Sequence, residues 1–460
     1  MLSEGGNRKG WDMSRRILLV WVIVLLGSLP VQGQVPFPSD LLPTRTALGR
    51  LGLERQWIAV VPLVNEERVL SVSMSDGLFF AQTNRANFHV YNAETGEHLW
   101  SAKIGIQTAR PRPASVNSFA VYVANMNKLY SLDRKTGRTI WTHDLGTLPS
   151  SATACDENRV VVGLGTGKIY AYDLKVRRDG KATISDHPID LWNWQTGAII
   201  KTRPMLSTKL AAFGSNDGKV YVALSEERTM LYRIATGGPI GQGLGAFGTR
   251  LLLIPSEDRN LYGVDILTSK ILWTYPSGAA ITQEPLVADN DIYVVNAAGQ
   301  LTLLDPSTGS PRWLNSTQGG RLVAIGSKRI YLESHDEDLF IIDRSTGQTI
   351  ADPQATFGRV GLNLRPYEFA ITNRDNDRLY FATSSGMVVS LREIGQTAAR
   401  PLRDPKGLPF GYIPREGTET TPPPARPAAL ETSPSPDKAK AVLEEDKVES
   451  KDPAAPANPK

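Results

Sequence analysis

Leu129-Tyr130-Ser131-Leu132-Asp133-Arg134-Lys135-Thr136-Gly137-Arg138-Thr139-Ile140-Trp141 is the stretch on which the fold turns. In Leu-Tyr-Ser-Leu-Asp, successive side chains fall on opposite faces of an extended chain, the pattern of a β-strand. Asp133 can accept hydrogen bonds from backbone two residues on and so start a turn. Gly137 supplies the positive φ that such a turn needs. The residues beyond it, ending in Trp141, form the returning strand of a hairpin.

The same segment recurs along the chain. Val90-Tyr91-Asn92 leads to Thr95-Gly96 and Trp100. Leu301-Thr302-Leu303-Leu304-Asp305 leads to Thr308-Gly309 and Trp313. Leu261-Tyr262-Gly263-Val264-Asp265 keeps Thr268 and Trp273 but has Ser269 in place of Gly, and Leu339-Phe340-Ile341-Ile342-Asp343 keeps Thr346-Gly347 but has Ala351 in place of Trp. Weaker copies fill the gaps: Trp192-Asn193-Trp194 before Thr196-Gly197, Leu231-Tyr232 before Thr236-Gly237, and Val388-Val389-Ser390-Leu391 before Gly395. The turn positions 96, 137, 197, 237, 269, 309, 347 and 395 are spaced by about 43 residues on average, the length of one four-stranded propeller blade.

Upstream of the turns lie further strands, such as Val121-Tyr122-Val123, Ile292-Tyr293-Val294-Val295 and Leu379-Tyr380-Phe381. Stacking such small sheets in a ring covers faces that no single sheet can bury. The expectation is an all-β protein, a β-propeller of eight four-stranded blades over residues 57–399. Trp100, Trp141, Trp273 and Trp313, with Gly96, Gly137, Gly309 and Gly347, are read as blade-docking residues whose indoles are core. A doubly wound α/β fold would need helical stretches between strands, and none with a 3.6-residue period occurs there.

The pattern Leu-Tyr-x-x-Asp-x-x-Thr-Gly-x-x-x-Trp at 129–141 and 301–313 resembles the repeat of the pyrroloquinoline-quinone-like propeller superfamily, over about three-quarters of the chain. The resemblance implies that the repeat tryptophan docks on the neighbouring blade's turn. It also offers two functions. One branch holds quinone-dependent dehydrogenases, often with a disulfide of adjacent cysteines and a calcium beside the quinone. The other holds the non-catalytic propeller subunits of outer-membrane β-barrel assembly. Cys155 is the single cysteine, so the disulfide cannot form. No compact acidic and amide constellation suggests the calcium. The assembly branch agrees better in size and in its lack of catalytic residues, although its members are usually lipoproteins and lack a long Pro-rich tail.

The termini differ in kind from the repeats. Arg15 and Arg16 precede an apolar run from Ile17 to Gly27, and Val31-Gln32-Gly33 precede Gln34. This is the layout of a signal peptide over 1–33, with an uncleaved anchor as the alternative. Residues 34–56 read as a linker. Residues 400–460 hold 13 of the 31 prolines with ten basic and ten acidic residues, a composition that disfavours a packed core and reads as a disordered tail. The whole chain carries 51 basic and 47 acidic residues without a basic stripe, which argues against nucleic acid.

Other motifs are weaker. His89, His98, His143, His187 and His335 show no helical metal spacing. Gly163-Leu164-Gly165-Thr166-Gly167-Lys168 lies between two strands and reads as a hairpin turn where a phosphate loop would open a helix. Ser334-His335-Asp336-Glu337-Asp338 reads as a solvated acidic loop. Lys175 to Asp190 interrupts the third unit where Asp173 would begin its turn, and Arg177, Arg178 and Lys181 make it basic. Long loops on rigid scaffolds often carry function, so this insertion is expected to border a partner-binding face. The sequence thus predicts a monomeric, non-catalytic protein-binding scaffold of the periplasm or secreted space. It needs no cofactor or metal, binds envelope proteins and no nucleic acid, and keeps no membrane span once the signal is cleaved. The alternative is a quinone-dependent dehydrogenase.

Overall fold

The computed structural model describes residues 42–413 except 109, 179, 180, 318 and 319, and the side chains of 177 and 178 are also outside the description. The expected signal peptide lies outside the described residues, as does the tail from 414 onward. The described residues from 42 to 412 make one unit.

Eight four-stranded antiparallel sheets form an eight-bladed β-propeller. Blade 1 shows the plan: Val69–Ser75, Leu78–Thr83, Asn87–Asn92 and His98–Lys103, paired in chain order. Blades 2 to 7 occupy 115–144, 154–195, 205–235, 245–276, 286–316 and 321–351. Blade 8 takes three strands from the end of the propeller, Phe369–Ala370, Leu379–Ala382 and Met387–Glu393, and its fourth from the beginning, Leu53–Val60. Leu53 pairs with Glu393 and Val60 with Met387, so the first strand closes the ring. The second and third strands of a blade are buried almost throughout, as in Ala120–Asn125 and Leu210–Ser215, because neighbouring blades cover both faces.

The structure moves both boundaries drawn from the sequence. The closing strand begins at Leu53, four residues before 57, and is preceded by the short helix Arg45–Arg50 capped by Thr44. At the other end, Leu402 is fully buried among blades 6 and 7. Asp289 donates its backbone N–H to the Leu402 carbonyl at 2.7 Å, and Gly411 donates to Thr249 at 2.8 Å. Residues 400–412 are therefore a strap that runs from blade 8 over the turns of blades 7 and 6 to blade 5. A handful of apolar residues in a proline-rich segment suffices when the surface beneath is already ordered.

Two weak repeat copies also change place. In blade 3 the third strand runs to Arg178 and pairs there with Lys181, and Trp192-Asn193-Trp194 sits on the fourth strand, Lys181–Gln195, ahead of Thr196-Gly197. In blade 4, Leu231-Tyr232 sits on the fourth strand, Met230–Ala235, ahead of Thr236-Gly237. Thr-Gly there follows the blade, with Thr196 and Thr236 hydroxyls donating to the Gly167 and Gly218 carbonyls at 2.8 and 3.0 Å.

Candidate functional site

The turns between third and fourth strands, on which the preceding blade docks, are built from the repeat residues. In blade 2, Asp133 accepts from the backbone of Lys135 and Thr136 at 3.1 and 2.8 Å, and the Gly137 N–H returns to the Asp133 carbonyl at 2.9 Å. The Thr136 hydroxyl, donating to the same carboxylate, holds Asp133 below the usual carboxylate range. Gly137 has φ +71°, and Trp100 lies so close that a Cβ there would meet the indole at 2.4 Å. Gly96, Gly309 and Gly347 are covered in the same way by Trp57, Trp273 and Trp313.

Each indole also donates to the carbonyl just after the turn's Asp or Asn. Trp57 reaches Ala93 at 3.0 Å, Trp100 reaches Arg134 at 2.8 Å, Trp273 reaches Pro306 at 2.9 Å and Trp313 reaches Arg344 at 3.3 Å. Trp141 is buried against Tyr122 and Leu174. Three docking residues were missed in the sequence, Trp57 and two more. Trp192 donates to Ser225 at 3.0 Å, and the Tyr232 hydroxyl donates to Ile266. Tyr232 faces the one turn where Ser269, at φ +58°, replaces Gly. A smaller ring meets the bulkier turn.

A β-bulge aims these rings. In all eight blades the ladder to the fourth strand skips one residue immediately before the docking position: Gln56, Leu99, Ile140, Leu191, Leu231, Leu272, Arg312 and Ile350. One inserted residue turns the next side chain to the other face, here toward the neighbouring blade.

Strands alternate in direction, so the turns between first and second and between third and fourth strands share one face. Ion pairs lace this face between blades. Arg134 pairs with Asp76 of blade 1 at 2.6 Å. The repeat-equivalent Arg344 pairs with Asp289 and Asp291 of blade 6 at 2.8 and 3.4 Å. The insertion of blade 3 rises from the same face. It is a paired ribbon, where the sequence suggested a loop: Lys175 pairs with Ile184, Val176 with Thr183, Arg177 with Ala182 and Arg178 with Lys181. Lys181 and Ile184 are exposed. Asp173 still accepts from the Lys175 N–H at 2.9 Å, so the insertion grows out of a normal turn start.

The central cavity of about 450 Å³ receives residues from every blade or the connection leading into it. Arg112, Lys201, Arg203, Arg321 and Arg374 line it, with Glu284 and Asp375 as the carboxylates. Arg374 holds Glu284 at 2.7 Å, and Arg321 is held by Glu333 at 2.5 Å. These residues do not suit a calcium beside a quinone. One of the two carboxylates is already engaged by an arginine, and no group of three His, Cys, Asp or Glu gathers among the described residues.

The histidines stay apart except for His89 and His98, which share Ser101 at 2.7 and 2.8 Å. In the 334–338 loop, Asp338 is buried and paired with Arg365 at 2.8 Å. Residues 163–168 form the hairpin between Arg159–Gly163 and Lys168–Arg178. No helix among the described residues is long and apolar enough to cross a membrane.

Blades closed by indoles on Thr-Gly turns define the class of pyrroloquinoline-quinone-like repeat propellers. A family profile described as outer membrane protein assembly factor BamB matches residues 43–238 and 208–411. The chain belongs to that family. Relatives bearing that name are 24% identical over 235 residues in Burkholderia pseudomallei and 22% identical over 248 residues in Nitrosomonas eutropha. These alignments cover 47% and 51% of this chain and 58% of each relative, so the chain matches little more than half of their length. The crystal structure of BamB from Moraxella catarrhalis superposes with a TM-score of 0.59 over 75% of this chain and 98% of that one, at 16% identity. The computationally designed Ika8 protein gives 0.55 over 73% and 99%, at 15% identity. Both likenesses concern the fold.

Proposed function

We propose that the chain is a non-catalytic, protein-binding scaffold of the cell envelope that serves outer-membrane protein assembly. The observation that carries this reading is the union of a rigid ring of the assembly-factor family with one projecting ribbon, 175–190, on the face of the turns. Both strands of the ribbon leave the blade, so their outer edges keep backbone groups for pairing with an extended partner segment. The exposed Ile184 and Lys181 add an apolar and a basic contact. Family membership also supports a periplasmic location and a protein complex as its setting.

The test is capture of envelope proteins by cross-linking to the full chain. A variant that replaces 176–189 by a two-residue turn should melt as the parent does yet lose a specific partner. An unchanged capture profile would refute the ribbon's role. If the protein, supplied with pyrroloquinoline quinone and calcium, reduced a dye at the expense of alcohols or sugars, the dehydrogenase reading would replace this one.

A further inference from the structure

Beyond the scaffold reading, the central cavity has a charge imbalance that partner binding on the ribbon does not use. Arg374 and Arg321 are occupied by Glu284 and Glu333. Arg112, Lys201 and Arg203 have no ion-pair partner among the described residues, and Asp375 is the carboxylate left to offset them. A contiguous lobe of about 290 Å³ shares Arg203, Glu284, Arg374 and Asp375 and adds Arg403. Arg403 comes from the strap and likewise has no ion-pair partner among the described residues.

The enclosure matters. Like charges gathered in a space with low-dielectric walls repel, and the same walls strengthen their attraction for an anion. Burial and the neighbouring Arg374 push the Arg203 guanidinium below its ordinary pKa, and burial together with Arg110 does the same to Arg112. The Nε of Arg112 is buried without a hydrogen-bond partner. A buried donor of this kind costs stability unless something accepts from it.

We propose that the cavity binds a compact multivalent anion, a small molecule with two or more phosphate or carboxylate groups, held by Arg112, Lys201, Arg203 and Arg403. The volume suits a small molecule. Guanidinium groups match the planar oxygens of either class in bidentate fashion. Because Arg403 belongs to the strap, an occupant would also tie residues 400–412 to the ring.

Isothermal titration of the full chain with pyrophosphate and with citrate, at constant ionic strength, tests this. Saturable one-to-one binding of either probe is expected, and their relative affinities tell phosphate from carboxylate. Arg203→Gln and Arg112→Gln should each weaken it at least tenfold, and Arg138→Gln, on an exposed turn of blade 2, should leave it unchanged. Lys201→Gln alters an exposed side chain and gives the same readout if the arginine variants fail to fold. The bound probe should also raise the melting temperature in proportion to its occupancy. Absence of binding by both probes, or equal affinity in all four variants, would overturn the proposal. Neither result bears on the ribbon.

Discussion

The indole of Trp57 covers Gly96, with ring carbons 2.5 Å from where a Cβ would stand, and through this contact the first strand of the chain is joined to the turn of blade 1. Gly96 has φ +73°, so any substitution there meets both strain and the ring. Trp57→Ala should cost about 3–5 kcal/mol, the usual loss for a truncated buried aromatic. Gly96→Ala should cost about 1–2 kcal/mol from backbone strain before the clash is added. The double variant should lose less than the sum, because removal of the ring makes room for the methyl group. Urea denaturation of the four proteins measures the coupling, and strict additivity would mean that the contact is not energetically shared.

Arg134 and Arg344 hold equivalent places in the repeat but unequal surroundings. The Arg344 side chain is 11% exposed and also donates to the Tyr293 hydroxyl at 2.8 Å, whereas Asp76, the partner of Arg134, is 62% exposed. Arg344→Gln should destabilise by about 1–3 kcal/mol, since it removes a largely buried guanidinium and leaves the Tyr293 hydroxyl and Asp291 short of a donor. Arg134→Gln should cost about 0–1 kcal/mol. Equal losses in thermal or urea unfolding would contradict this ordering.

His89 links stability to pH. Burial, then the neighbouring His98, lowers its pKa from 6.5 to about 4, while Glu67 acts weakly in the opposite sense. Between those values the unfolded chain takes up a proton that the folded chain refuses. Stability from this group is complete above pH 6.5 and falls as the pH drops toward 4. A loss of roughly 3 kcal/mol across that window is expected. In His89→Gln, urea titrations from pH 7.5 to 4 should show a correspondingly shallower decline. An identical slope in both proteins would assign the pH response to other groups.

Leu402 anchors the strap. Leu402→Ala should cost about 2–5 kcal/mol, and proteolysis should then cut within 400–412 before any blade is attacked. Protection of that segment equal to the parent's would show that Arg400, bonded to Asp289 at 2.9 and 3.0 Å, suffices alone.

Blade number was legible because strand alternation, the Asp-to-Gly spacing and the terminal Trp are all local, and each copy repeats them. Trp192 and Tyr232 were not recognised as docking residues for a local reason too. Their turns lack Thr-Gly, while the Thr-Gly pairs nearby belong to the connection into the next blade. The bulge before each docking ring did leave a trace, since six of the eight bulged residues are Leu or Ile set directly beside the docking position, a break in the apolar alternation that the repeat pattern alone did not interpret. The central cavity was invisible in sequence because Arg112, the neighbouring Lys201 and Arg203, and Arg374 come from segments far apart in the chain, which meet only once the ring is closed. The strap was hidden by its composition, in which two buried residues are outweighed by prolines and charges.

The strand Leu53–Val60 finds its partner far along the chain: Gln56 and Ser390, 334 residues apart, share a hydrogen bond at 3.2 Å. A polypeptide delivered amino end first must therefore keep that opening segment unclaimed until nearly the whole propeller has emerged. Meanwhile blade 1 can assemble locally, but Met387–Glu393 offers an unmated edge as soon as it folds. Completion is the slow, long-range event in such a topology. During that interval the nascent protein is open to pairing with the wrong chain, so whatever escorts it before closure decides its yield.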